Sequence, residues 1–415
     1  MDILATARSN YRSAAGLSGK DQPENSNRWV YLQNEMRHLI DAHQTVADVI
    51  AHGQEGSQFD HRAAIAGMEN NIKFYRHCLN YEYPHFIDEI NKFTDSAVSI
   101  ASTLGENEVG SLVSNILYFH MFHILTSLTY RADIKTVCEV GGGYGGPARL
   151  WLTNPIQPLK NVTIIDLPES LFYAEVFLRA ACPEANIVYC KTEQDCRNDD
   201  DDTFYLVPLE LAQYTSAMQF DLLVNTGSMA ELSDDWVLYW ADWVGSQNCH
   251  LFYSHNYFAI PIDDLQESRN VIAPLVPAGW RVGQLRINHP LMILQSTGRN
   301  CAEIIFTRET EINDHNWIYD IHDLQFDEKM TLTAFAYFLF NLPAQVCTNV
   351  EAEMMVLGRA VRDLQVLPKE LLYLTNRILA SPAFADLPPA EQEFAVDLSN
   401  RLQELYQANF PEGHL

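Results

Sequence analysis

Basic charge is scarce in this 415-residue chain, where 27 lysines and arginines stand against 54 aspartates and glutamates for a formal net charge of −27. No stripe of Arg or Lys is present that could follow a phosphate backbone, which argues against nucleic acid as a partner. The same acidity favours solubility and opposes a negatively charged membrane surface. No apolar run reaches bilayer-spanning length, and Met1 to Lys20 lacks the basic-then-apolar pattern of a secretion signal, so a cytoplasmic protein is expected. The eight cysteines include no C-x-x-C pair, and Cys78, Cys138, Cys249 and Cys301 sit within apolar patterns. Buried free thiols are expected, not a disulfide framework or a zinc knuckle. There is no internal repeat and no long Gly/Ser linker.

What is present centres on Thr136-Val137-Cys138-Glu139-Val140-Gly141-Gly142-Gly143-Tyr144-Gly145-Gly146-Pro147-Ala148-Arg149-Leu150. An apolar run with one carboxylate breaks into glycines and is followed at once by a helical pattern, which reads as strand, tight turn, helix. The glycines permit positive φ and close approach of a ligand, and Pro147 suits a helix's first turn, where no N–H is needed. Gly141, Gly143 and Gly146 satisfy G-x-G-x-x-G, the pattern of a dinucleotide site. Glu139 points elsewhere: a dinucleotide fold has an apolar residue there, whereas S-adenosylmethionine (SAM) methyltransferases have an acid. Burying a carboxylate unpaired costs several kcal/mol, so a partner such as the ammonium of a methionine moiety is expected. About 20 residues after Gly146, the run Val162 to Asp166 ends in an acid where a ribose-binding carboxylate belongs, followed by Leu167-Pro168-Glu169.

Residues 1 to about 26 are polar and small and read as a loose arm. Trp29, Leu32, Met36, Leu39, Ile40, His43, Val46, Ala47 and Ile50 then recur at helical spacing, as expected of one long amphipathic helix. Further helical patterns cover about 62–79, 84–93 and 108–130. His43, His52 and His61 have no metal-ligand partner at a convincing offset. The centre alternates strands and helices, the pattern of a parallel α/β sheet, with strands expected at 136–140, 162–166, 186–190, 220–225, 249–254, 280–287 and 301–307. Phe204 to Pro208 is also strand-like, and either it or 186–190 is the third core strand. The four aspartates after Asn198 read as a solvated loop, not a calcium site. From about 310 the pattern is helical through 330–342, 350–364, 368–379 and 389–408. The domains expected are therefore a helical 1–131, a nucleotide-binding core at 132–309 and a helical appendage at 310–415, whose additions could support a homodimer.

Ligands of an open parallel sheet bind beyond the strands' carboxyl ends. That places Asn225, Ser228 and Glu231 after one strand and His255, Asn256 and Tyr257 after the next. His255 is the best-placed general base, with Glu231 as the alternative or as its orienting group. His120 and His123 lie three apart on the 108–130 helix and are second-rank candidates for the acceptor side. No D-x-D-like cluster favours a magnesium ion at Glu231, Asp234, Asp235 and His255, so no metal is assigned. Trp236, Trp240 and Trp243, behind the N-cap residue Ser233, read as a packing stripe.

Glu139 to Gly146, Ile165-Asp166-Leu167-Pro168-Glu169-Ser170 and Asn225-Thr226-x-Ser228-Met229-x-Glu231-Leu232 resemble the sugar O-methyltransferase family of SAM-dependent enzymes over about 110–310. The resemblance implies an α/β, Rossmann-like, seven-stranded SAM-methyltransferase core with helical additions at both ends. It also implies Glu139, Gly141, Gly143 and Asp166 at the cofactor, and Tyr144, Leu167 and Asn225 complete the expected cofactor set. S-adenosylhomocysteine (SAH) would be the product. The acceptor would be a hydroxyl of a sugar or glycosylated small molecule. A non-sugar natural product or a peptide is the alternative acceptor, and an NAD-binding oxidoreductase or a non-catalytic nucleotide module is the reading from another class.

Overall fold

The structure, a computed structural model, describes residues 2–17, 27–55, 83–92, 109–229, 234–257, 280–287, 301–308, 317–318 and 389–409, with a few isolated positions besides. The helical patterns at 62–79, 330–342, 350–364 and 368–379 lie almost wholly outside these residues. Strands β1 (Thr136–Val140), β2 (Asn161–Asp166), β3 (Asn186–Tyr189), β4 (Thr203–Pro208), β5 (Leu222–Thr226), β6 (Leu251–Tyr257), β7 (Arg281–Ile287), β8 (Cys301–Thr307) and β9 (Trp317–Ile318) form one sheet in the order β3-β4-β2-β1-β5-β6-β8-β7-β9. β1, β2, β4 and β5 pair in parallel and are buried almost throughout, as strands covered on both faces must be. β7 and β8 pair antiparallel. The seven core strands are joined by β3 at one edge and the two-residue β9 at the other. Both candidates for the third core strand are strands: β4 pairs directly with β2, and β3 lies outside it.

Two compact units are distinguished. The first contains α1 (Ile3–Ala14), α2 (Asn27–Ala42), α3 (Val46–Glu55), α4 (Val109–Tyr130), β1 to β5, α5 (Gly146–Leu152), α6 (Pro168–Ala181) and the start of β6. The second contains α7 (Asp234–Ser246), β7 to β9 and α8 (Pro389–Asn409). On α7 the predicted tryptophan stripe is internal packing: Trp236 stacks with Trp240 at 6.5 Å between ring centroids, and Trp240 meets Trp243 edge-on at 5.3 Å.

Two expectations for the N-terminal region are corrected. The loose arm is a helix, α1, capped by Asp2, whose carboxylate accepts the Ala5 amide at 3.1 Å. Its buried stripe is Leu4, Ala7, Asn10 and Ala14, mostly too small to register as an apolar face in sequence, and it packs on α6. The single helix over 28–50 is two helices. Thr45 and Asp48 form a reciprocal cap, Asp48 N–H donating to Thr45 Oγ1 at 3.1 Å and Thr45 N–H to Asp48 Oδ2 at 2.9 Å, which starts α3 afresh. The pattern at 84–93 likewise opens as a 3-10 turn, Pro84–Phe86, before turning α-helical to 92.

The side chains of α6 from Pro168 to Leu178 are buried throughout, because the helix lies against the sheet and is also covered by α1, α2 and α3. Asn10 donates to Glu175 at 2.8 Å, Tyr11 meets Phe172 edge-on, and His43 Nε2 lies 3.4 Å from the Tyr173 hydroxyl. Cys138, Cys182, Cys190, Cys196 and Cys249 are free and buried. Asp199 to Asp202 form an exposed loop. Among the described residues no helix is long and apolar enough to cross a membrane.

Candidate functional site

The sheet reverses its winding between β1 and β5, neighbours whose onward connections lead to opposite edges, and the candidate site lies beyond their carboxyl ends. After β1 the chain turns through Gly141 at φ 75°, Gly143 at φ 55° and Gly145 at φ 85°, and Gly145 caps α5. Gly141 is required sterically as well, since a Cβ there would collide with the Ser228 side chain. A Cβ on Gly142 would sit 3.1 Å from Glu139 Oε2 and 2.8 Å from Ile164 Cγ2. The loop therefore lies directly on the Glu139 carboxylate.

Glu139 is fully buried on β1, and neither carboxylate oxygen has a hydrogen-bond partner. Burial first, and then the neighbouring Asp166, pushes its pKa up to about 8. Asp166, at the end of β2, accepts Gly143 N–H at 2.8 Å and Leu167 N–H at 2.7 Å. Burial raises its pKa to about 6, against the lowering effect of those bonds and of the Ser170 hydroxyl. Leu167 is buried beside it.

At the end of β5, Asn225 donates to Val140 O at 2.8 Å and to Ser228 Oγ at 2.6 Å, and its carbonyl accepts Met229 N–H at 3.2 Å. Ser228 Oγ in turn donates to Val140 O at 3.3 Å. Both side chains thus bind the β5 turn to the end of β1. Tyr144, half-buried, meets Phe177 edge-on at 5.1 Å, and burial pushes its hydroxyl pKa up to about 12.

His120 and His123 occupy the inner side of α4, 5.9 Å apart between rings, and His123 packs against Tyr253 at 5.1 Å. Burial, with Arg149 adding to it, pushes the His120 pKa down to about 3, so this imidazole is neutral. His255 and Asn256 are buried on the later half of β6, in the second unit, where Asn256 donates to Ser254 Oγ at 2.8 Å. Tyr257 ends that strand. Glu231 and the side chains of Tyr257 and Asp234 lie outside the described residues. Among the described residues no group of three or more His, Cys, Asp or Glu is arranged to hold a metal ion.

One carboxylate was missed from sequence. Glu210 follows β4 two residues after Pro208, which is in register with Asp166, and its Oε2 is buried without a partner. Burial chiefly raises its pKa to about 7. Once β4 is known to adjoin β2, an acid just past its end stands out, so the open choice of third strand concealed it. Arg149 on α5 is also buried, with Nε and Nη1 unpartnered. The first unit therefore holds three acids whose pKa burial raises, Glu139 and Asp166 beside the glycine loop and Glu210 past β4. Such a site suits a ligand that brings its own donors, such as vicinal hydroxyls or an ammonium, and the two orphaned oxygens of Glu139 fit that need.

No protein-family model matches the chain, and no curated protein matches it. Solved structures that it resembles include M. capricolum TrmK in complex with S-adenosyl-homocysteine, at 11 % identity and TM-score 0.32, covering 64 % of this chain and 92 % of that one. Magnesium protoporphyrin IX methyltransferase from Synechocystis PCC 6803 with bound SAH is another, at 9 % identity and TM-score 0.32, covering 49 % and 88 %. The N-terminal domain of EvdMO1 with SAH bound is a third, at 11 % identity and TM-score 0.30, covering 49 % and 85 %. These likenesses are distant, and the functional reading rests on the residues around Glu139 and Asp166.

Proposed function

We propose that the protein is a SAM-dependent methyltransferase that methylates a hydroxyl of a sugar or glycosylated small molecule. The observation that carries the reading is Glu139, a fully buried carboxylate with no partner beneath a glycine loop. A sulfonium donor bound there would supply an electrophilic methyl group. Glu139 would take the ammonium of its amino-acid end, Asp166 its ribose hydroxyls, and the Gly141–Gly143 backbone would lie along it. Tyr144 and Leu167 would bound the site, and Asn225 would act by holding the loop geometry through Val140 and Ser228. Glu210, just past β4, is a further acceptor for an exocyclic amine.

On the acceptor side the reading assigns His255 as general base, with Glu231 as its alternative or orienting group. Ser228, Asn256, Tyr257, His120 and His123 are the assigned acceptor contacts. Orientation supplies much of the rate of such a displacement, and a positioned base adds about 10²- to 10⁴-fold. The sugar rests on the motif resemblance, and a non-sugar natural product or peptide is the competing acceptor. Magnesium is not favoured, and dimerisation through the helical additions and a cytoplasmic location belong to the same proposal.

The test is calorimetry of the purified protein with SAM, SAH and NAD, with and without magnesium, followed by an acceptor panel. Micromolar binding of SAM and SAH with none of NAD is expected. Binding of NAD alone would overturn the reading in favour of an oxidoreductase.

A further inference from the structure

The first turn of α6 carries Glu169, three residues after Asp166 and 1 % exposed. Its carboxylate is held from outside the sheet layer by α2: Arg37 Nε lies 2.7 Å from Oε1, and Gln33 Nε2 lies 3.4 Å from Oε2. Arg37 is half exposed, so its long side chain reaches in from solvent to a buried acid. The same turn places the Ser170 hydroxyl on Asp166, and Asp166 in turn accepts the Gly143 amide. A continuous series of contacts thus runs from α2 through the first turn of α6 to the glycine loop.

We propose that Arg37 and Glu169 are positioning residues for the cofactor site, through which the N-terminal helices keep Asp166 ionised and bound to Gly143. This deepens the SAM reading and rests on it. Two buried carboxylates three residues apart disfavour each other's charge, and Glu169 already acts on Asp166 in that sense. The Arg37 guanidinium neutralises Glu169 and so limits the effect. Tyr11, near both Arg37 and Glu169, carries no charge to replace it, because burial first and then Glu169 raise its pKa. The other carboxylates facing this group are Glu210, on which Glu169 and Arg37 also act in opposite senses, and Glu139, which couples to Asp166. Loss of Arg37 leaves Glu169 without its cation and with only the long Gln33 contact, and Asp166 then takes up a proton more readily. A protonated Asp166 is a weaker acceptor for the Gly143 amide and for ribose hydroxyls.

The experiment measures SAH binding from pH 6 to 9 for the wild type, Arg37→Gln, Arg37→Lys, Glu169→Gln and Arg37→Gln/Glu169→Gln. The same set in a Glu210→Gln background keeps the Asp166 effect separate from that of Glu210. Amide exchange of residues 141–146 without cofactor is followed in parallel. A rise of about one unit in the Asp166 pKa weakens binding about fivefold at pH 6, with the curves converging above about pH 8. Arg37→Gln should show this weakening and faster exchange of the loop, while Arg37→Lys and the double variant should restore both. If Arg37→Gln matches the wild type at pH 6, or loses affinity equally at every pH without rescue by Glu169→Gln, the proposal is overturned. Failure of the wild type itself to bind SAH would instead overturn the SAM reading, and the exchange rates would still report whether Arg37 acts on the loop.

Discussion

Asp166 Oδ2 accepts the backbone amide of Gly143 at 2.8 Å, tying the end of β2 to the glycine loop that follows β1. The bond sets the loop before any ligand arrives, and the same carboxylate is the group assigned to the ribose. Replacing Asp166 by Asn removes the charge from both roles. Charge-assisted hydrogen bonds contribute about 1.5–3 kcal/mol, so SAH affinity should fall roughly 10- to 100-fold. Calorimetry near pH 7.5 measures this, and an unchanged affinity would remove Asp166 from the site.

Glu139 should oppose stability and binding to one another. Its folded pKa of about 8 lies above its ordinary value of 4.5, so its contribution to stability is fully present below about pH 4.5 and is lost as pH rises through about 8. Glu139→Gln keeps the shape without the charge. The ligand-free variant should therefore melt higher than the wild type at pH 8.5 and nearly the same at pH 5. A gain of only about 1 kcal/mol corresponds to ~2–4 °C for a unit of 150–250 residues. The same variant should bind SAH at least tenfold more weakly. Thermal melts at the two pH values, with and without SAH, check both halves of the prediction.

Gly141 and Gly143 both have positive φ, but only Gly141 faces a side chain, that of Ser228. Gly141→Ala combines left-handed backbone strain with a steric clash, whereas Gly143→Ala has only the strain, roughly 1–2 kcal/mol. Gly141→Ala should lower the melting temperature clearly more. Gly143→Ala should act mainly on ligand affinity, because its new methyl points into space that the ligand would use. Equal melting temperatures for the two would contradict the placement of Ser228.

The sheet was legible in the sequence because each core strand is a buried apolar run ended by turn chemistry. That is the case at Val140-Gly141, Asp166-Leu167-Pro168 and Asn225-Thr226-Gly227. Glu139 and Asp166 were legible for the same reason, each an acid set against an apolar strand. The N-terminal helices were less so. α1 buries alanines and one asparagine, which carry little periodic signal, and the break between α2 and α3 comes from a Thr45–Asp48 cap inside an unbroken apolar pattern. Glu210 and the Arg37–Glu169 pair depend on which strands adjoin and which helix covers α6. Local sequence does not encode either relation.

α1 is accordingly expected to belong to the cooperative unit it packs on. Asn10, buried on α1, donates to Glu175 Oε1, a fully buried carboxylate on α6 that also holds Arg179 at 2.7 Å. Glu175 Oε2 already lacks a partner, so the acid depends on the donors that remain. Asn10→Ala removes one of them and should cost about 1.5–3 kcal/mol, whereas a change at exposed Ser9 should stay within about 0.5 kcal/mol. Urea unfolding followed by tryptophan fluorescence separates the two cases. A lowered midpoint with unchanged slope places α1 in the folded unit, and no shift for Asn10→Ala would mean that the helix is detached from α6 in solution.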